Sequence, residues 1–227
     1  MLALFLARHR SHAPLFAALV VASAACSALV AARVSHTGRL TYTFLVYNLA
    51  LAWIPVAFAA AAYALGGMRS RAAACLAALC SVGWLLFFPN APYLVTDLVH
   101  LKVNANRLFW FDVLTLPSFA WTGMALGFLS LFLMQRLVED LAGRVWAWLF
   151  AGASLAAGAF GIYLGRFRRW NSWDAVLDPF ALTADVARTL LHPFQHAAVG
   201  AFCAVLAGVM FVSYLVFYAF TSVRARA

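Results

Sequence analysis

Residues 42–65 read YTFLVYNLALAWIPVAFAAAAYAL, a run without a single Asp, Glu, Lys or Arg. A helix needs about 20 apolar residues to cross a hydrocarbon layer roughly 30 Å thick, so this stretch is long enough to span. Gly66, Gly67, Arg69 and Arg71 form a short turn behind it. Apolar runs of the same kind recur at 14–32, 72–93, 113–135, 145–165 and 198–220. The 227-residue chain is 66% hydrophobic and 10% charged, with a net charge of +9. Soluble domains carry roughly 25% charged residues, and disordered chains are poor in apolar ones; both classes are excluded. The expected fold is an all-α membrane protein, one multi-pass unit over residues 1–227 built as a bundle of about six transmembrane helices.

A short interfacial helix is expected between the fifth and sixth spans. Asp178-Pro179 reads as an N-cap followed by proline at the first helical position. Phe180, Leu182, Val186, Leu190 and Leu191 then alternate with Asp185, Arg188 and Thr189, the pattern of a helix lying along a membrane surface, where it would roof a polar cluster. At the other end, Arg8 and Arg10 precede an apolar run of about 18 residues, longer than the usual 7–15 of a signal peptide, so an uncleaved anchor is expected. Cys26, Cys75, Cys80 and Cys203 all fall inside spans and read as small packing residues rather than a disulfide set.

Two motifs concentrate the polar groups. The first is Phe87-Phe88-Pro89-Asn90-Ala91-Pro92-Tyr93-Leu94-Val95-Thr96-Asp97-Leu98-Val99-His100. Its prolines should stop regular helix and leave carbonyls unpaired near the membrane surface. Asn90 can supply donors and an acceptor there. If helix resumes, Tyr93, Asp97 and His100 share a face, being three and four residues apart. The competing reading is an interfacial helix end with a belt tyrosine and a solvated aspartate, before a polar connection over 97–107.

The second motif is Gly165-Arg166-Phe167-Arg168-Arg169-Trp170-Asn171-Ser172-Trp173-Asp174. Arg166 and Arg169 would face the same way if the fifth span stays helical to its end, and guanidinium forks suit phosphate or carboxylate. Arginine beside tryptophan is also an ordinary interfacial anchor, but Asn171, Ser172 and Asp174 exceed what an anchor needs. So short a basic stretch between spans does not suit nucleic acid. Asp112 reads as an acid complementing a helix N-terminus, with pairing to a motif arginine as the alternative, and Asn48 as a hydrogen bond across helices.

These motifs, with Trp84-Leu85-Leu86 before the first and Asp112 between them, resemble a family of bacterial integral membrane proteins known as domain of unknown function 1361. The resemblance runs from about the second span to the last. It implies a bacterial multi-pass membrane protein and brings no catalytic residues with it.

The expected functions are therefore argued from the residues. In the first, an outward-facing polar pocket holds an anionic ligand, a lipid or envelope precursor. Arg166 and Arg169 bind its charge, Asn90, Tyr93, Asn171 and Asp174 complete the lining, and Asp97 or His100 exchanges a proton. In the second, Asp97, Asp112 and Asp174 neutralise the arginines in a structural network, as part of an assembly or structural protein. A passive solute facilitator is third. The bilayer itself is the partner expected in every case.

No cofactor or metal is expected: His192 and His196 have helical metal-pair spacing, but Pro193 spoils it. Ionisable groups are absent from mid-span, against a coupled pump, and no inverted repeat, Walker loop, Gly-x-Ser-x-Gly or His-Glu-x-x-His occurs. Lys and Arg divide evenly between the two sides. Paired basic residues at both termini and both tight turns favour cytoplasmic termini, with the polar motifs periplasmic.

Overall fold

The computed structural model describes residues 13–68, 70–101, 108–191 and 197–224. They form α1 (Ala13–Thr37), α2 (Thr43–Gly66), α3 (Arg71–Phe87), α4 (Asn90–Tyr93), a 3-10 segment (Leu94–His100), α5 (Phe109–Ala142), α6 (Arg144–Phe167), α7 (Asp174–Leu177), α8 (Pro179–Leu191) and α9 (Ala197–Arg224). Among the described residues, six stretches are long and apolar enough to cross a membrane: α1, α2, the run 71–100, α5, α6 and α9. His192 and His196 lie outside the described residues, as do Arg8, Arg10, Arg69, Lys102, Arg107 and Arg226.

The bundle is organised around α5, whose apolar surface is mostly enclosed. It touches α1, α2, α6, α9 and the whole 90–100 segment, while α3 packs on α2 and α9 on α6. Phe119, Leu126, Leu131 and Phe132 of α5 are fully buried against Leu45 and Ala52 of α2, Leu155 of α6 and Tyr214 of α9. Two buried hydrogen bonds stitch this core: Tyr214 donates to Gln135 at 2.6 Å and Trp84 to Ser130 at 3.1 Å. Each neutralises a polar atom that burial would otherwise penalise. The cysteines are free, and Cys26 packs 3.5 Å from Thr122, joining α1 to α5.

Two boundaries differ from the sequence expectation. The fourth and fifth spans are joined by Gly143 alone, at φ +91°, rather than by a linker over 136–144; Arg136 and Glu139 pair within the extended α5. The prolines do not stop the chain either. Phe88, Pro89, Tyr93 and Leu94 keep right-handed helical dihedrals, so residues 87–100 wind on as tighter turns and carry Asp97 into the bundle, not out into a polar connection. The carbonyls that proline frees find other donors, the condition for irregular backbone at this depth. Asn90 donates to Phe87 O at 3.2 Å, Ala91 N to Phe88 O at 3.2 Å and Thr96 to Tyr93 O at 2.7 Å.

Glycines on two helices make room for this segment. A Cβ at Gly123 of α5 would fall 2.6 Å from the Ala91 carbonyl oxygen. On α6, a Cβ at Gly158 would meet Phe88 at 2.7 Å and one at Gly161 would meet Pro89 at 2.5 Å. Backbone cannot yield as a side-chain tip can, so Gly123→Ala is expected to cost about 1–3 kcal/mol through overpacking. The thermal midpoint of the purified variant at a fixed scan rate reads that loss; an unchanged midpoint would contradict the packing.

Candidate functional site

The proline-broken segment and the end of α6 meet. Asn90 donates to Ser172 Oγ at 2.9 Å, across 82 residues of sequence. Arg166, on the last turn of α6, reaches Tyr93 OH at 3.2 Å and Asp97 Oδ1 at 2.9 Å, and also donates to the Thr96 carbonyl. Its guanidinium carbon lies 5.0 Å from the centre of the Tyr93 ring. Asn48 of α2 donates to the other oxygen of Asp97 at 2.9 Å. With its side chain 2% exposed, Asp97 is enclosed by these partners. His100 Nδ1 lies 3.1 Å from the Asp97 carbonyl oxygen, with its ring against Phe44 at 5.0 Å. Both oxygens of the Asp97 carboxylate are thus engaged, one by Arg166 and one by Asn48, and the half-exposed His100 ring lies beside them.

Two more aspartate–arginine pairs stand on the same rim. Arg33 of α1 grips Asp112 at 2.7 and 3.1 Å, the two-pronged geometry that guanidinium favours, and lies 4.3 Å over the Tyr42 ring. Tyr42 OH in turn lies 3.3 Å from His100 O and 3.4 Å from Asp112 Oδ2. Asp112 thus has an arginine partner, but from the first span rather than from the second motif. The third pair joins Arg168, through both Nε and Nη2, to Asp185 of α8; Trp170 Nε1 donates to the same carboxylate at 2.9 Å.

Arg166 and Arg169 do not share a face. α6 ends at Phe167, and Trp170 N folds back to Leu164 O at 3.1 Å with Arg169 at φ +62°, left-handed backbone that side chains resist. Arg169 is exposed and has no ion-pair partner among the described residues. Asp174 binds no arginine either: its carboxylate accepts from Asn171 N at 2.7 Å and lies 3.4 Å from Asn171 Nδ2, closing the turn into α7. Arg169→Gly should relieve the backbone strain and raise the thermal midpoint slightly; a fall would reveal an unseen contact of the side chain.

Arg168 holds the Asp185 carboxyl down at about 2, below the usual value, with the Trp170 N–H adding to the effect. Because the folded value lies below the unfolded one, the clamp on α8 is complete above about pH 4 and is lost as pH falls toward 2. Protection factors of the α8 amides, exchange rates corrected for the intrinsic pH dependence, should fall over that window, and Asp185→Asn should show the lower protection already at pH 7.

Between these elements lies a cleft of about 540 Å³. α2, α3, α4, α6 and α8 and the loop after α6 all contribute to it. Leu51, Leu85, Leu86, Phe160 and Leu164 line its apolar part; Tyr47, Asn48, Asn90, Tyr93, Asn171, Ser172 and Trp173 supply polar atoms. Leu182 and Val186 of α8 also line it. None of the arginines and none of the aspartates lines it. A larger apolar groove of about 710 Å³ runs between α1, α5 and α9, lined by Leu15, Trp121, Phe128 and Phe217. Among the described residues, no three His, Cys, Asp or Glu side chains converge as metal ligands.

Of the residues sequence reasoning singled out, Asn90, Tyr93, Arg166, Asp97 and His100 come together, with Asn171 and Asp174 nearby across the cleft loop. It missed Tyr42, and although it placed Arg33, Trp170 and Asp185 on this side and Asn48 in a hydrogen bond across helices, it did not name their partners. A usable signal existed: a charge near an otherwise apolar span must be paired when buried, so each such arginine implied an acid on the same side.

No curated protein and no solved structure matches the chain. The family described as "Protein of unknown function (DUF1361)" matches residues 47–219, which contain both motifs and every residue lining the cleft. The chain is therefore a multi-pass membrane protein belonging to the DUF1361 family.

Proposed function

We propose that the protein is a membrane-embedded binding protein whose rim cleft takes the polar head of a lipid-like amphiphile, such as a lipid or a lipid-borne envelope precursor. The observation that carries this reading is the meeting of the two motifs around a cleft that is apolar toward the spans and polar toward the rim. Pockets of about 300–1,000 Å³ with a few convergent polar groups are the usual form of ligand sites. In this reading the Asp97–Arg166 and Asp185–Arg168 pairs hold the walls and the roof together. A ligand anion would have to displace Asp97 from Arg166, so charge capture is not the favoured mode. Internal closure of these ion pairs also favours a second reading, a purely structural role for the motifs.

Ala157 lines the cleft and is exposed, so Ala157→Trp would fill it without disturbing the core. Native mass spectrometry of the purified wild type should show a copurifying amphiphile that this variant has lost at unchanged thermal midpoint. Equal retention in both, or none in either, would overturn the binding reading and leave the structural one.

We further infer that both termini are cytoplasmic. Positive-inside counts concern loop residues, and Arg33 and Arg166 of the opposite side are helix residues committed to aspartates. A helical bundle of bacterial type belongs in an inner membrane, since outer-membrane spans are barrels. Reporter fusions after residue 224 should be active only in the cytoplasm.

A further inference from the structure

The cleft's polar atoms have an unusual balance. Asn48 turns its NH₂ to the Asp97 carboxylate, which only accepts, and Asn90 turns its NH₂ to Phe87 O and Ser172 Oγ. Asn171 faces its NH₂ toward Asp174 in the same way. An amide has one donor end and one acceptor end. Each of these three therefore has its carbonyl oxygen left over, and no donor reaches it among the described residues. Beside them, the Tyr47 hydroxyl, the Ser172 hydroxyl hydrogen and the Trp173 N–H are donors with no acceptor among the described residues. No buried side-chain polar atom among the described residues is unsatisfied, so these groups meet solvent in the open cleft.

Phosphate or carboxylate would accept from the donors but would repel three amide oxygens. An ammonium would suit the oxygens and leave the donors empty. Hydroxyl groups do both, each donating once and accepting up to twice. Aromatic side chains line the same space, those of Tyr47, Tyr93, Trp170 and Trp173, next to the apolar floor of Leu85, Leu86 and Phe160. A sugar ring offers hydroxyls at its edge and apolar C–H groups on its faces, and an attached acyl or prenyl chain would continue along that floor.

We propose that the ligand is a neutral glycolipid, its sugar seated among Asn48, Asn90, Asn171 and Trp173 and its chain leaving between α3 and α6. This rests on the binding reading given above and names its ligand class. Discrimination follows from the unpaired oxygens: a site arranged to bond ligand hydroxyls rejects a head that leaves its acceptors empty. α8, whose Leu182 and Val186 line the cleft, would move aside for entry, and the Arg168–Asp185 clamp would return it.

The test is a titration of the full chain in a polyoxyethylene detergent, which carries no sugar, followed by native mass spectrometry. The probes are monoglucosyl-diacylglycerol, phosphatidylglycerol, phosphatidylethanolamine and plain diacylglycerol with the same acyl chains. The glucosyl lipid should bind at least about tenfold more tightly than each of the others, a preference of about 1.4 kcal/mol. Asn171→Leu and Trp173→Leu, both on the cleft loop away from the core, should each remove most of that preference without moving the ligand-free thermal midpoint. Preferred binding of phosphatidylglycerol or phosphatidylethanolamine, abolished by Ala157→Trp, would overturn the glycolipid and leave an amphiphile site standing. Equal binding of all four, unaffected by Ala157→Trp, would overturn both.

Discussion

Arg166→Ala is expected to destabilise the protein by about 3–5 kcal/mol, because it strands the enclosed carboxylate of Asp97 without its cation. In a chain of this size that corresponds to a fall in thermal midpoint of roughly 6–20 °C. Asn48 would remain, but one amide cannot compensate a buried charge. The effect should be specific to the missing partner. Asp97→Asn combined with Arg166→Ala leaves a neutral pair of amides, Asn48 facing the new one, and should recover most of the midpoint. Unfolding of membrane proteins is often irreversible, so the comparison belongs at one scan rate. If the single variant keeps the wild-type midpoint, the clamp between the two motifs is not what holds the cleft walls. If the double variant falls as far as the single one, Arg166 acts through the Tyr93 and Thr96 contacts instead.

Asp112→Ala should be comparably damaging and should act elsewhere. Both members of the Arg33–Asp112 pair are buried, at 7% and 5% exposed, and α1 has few other polar ties to the bundle. Losing the carboxylate leaves a guanidinium facing Tyr42 and apolar neighbours, again at about 3–5 kcal/mol, and α1 should loosen from α5. Cys26 reports on this directly, since it is 2% exposed and packed against Thr122 across that contact. In a background where Cys75, Cys80 and Cys203 are replaced by alanine, a membrane-permeant maleimide should label Cys26 slowly in the parent and much faster in Asp112→Ala. Arg33→Met with Asp112→Leu replaces the pair by apolar groups of similar reach, and such exchanges are often neutral. Slow labelling should return. Fast labelling in the double variant would mean that the pair specifies how α1 docks, beyond neutralising itself.

The spans were legible because crossing a bilayer demands length and apolarity, properties of a local window. The helix over 179–191 was legible for a similar reason: Asp178 and Pro179 mark its start, and Asp178 Oδ1 does accept from Ala181 N at 3.2 Å. The two motifs also announced that polar chemistry gathers on one rim, and they do meet there. What misled was treating each motif as continuous helix or as its end. Arg166 and Arg169 look like neighbours at helical spacing, yet the chain turns left-handed at Arg169. The prolines look like a terminus, yet Asn90 and Thr96 repair the backbone and the chain winds on.

By itself the sequence determined six helices long and apolar enough to span, a short helix before the last of them and a clustering of polar groups, since hydrophobic length, capping residues and charge placement act within a few residues of one another. Only the tertiary structure decided which aspartate takes which arginine: Asp97 with Arg166, Asp112 with Arg33, Asp185 with Arg168. Partner choice between buried charges depends on which helices touch and at what rotation, and glycine faces on α5 and α6 set that here by admitting the broken segment. Once those pairs close, every charge of theirs is consumed, and the cleft they frame is left with amides, hydroxyls and aromatic rings.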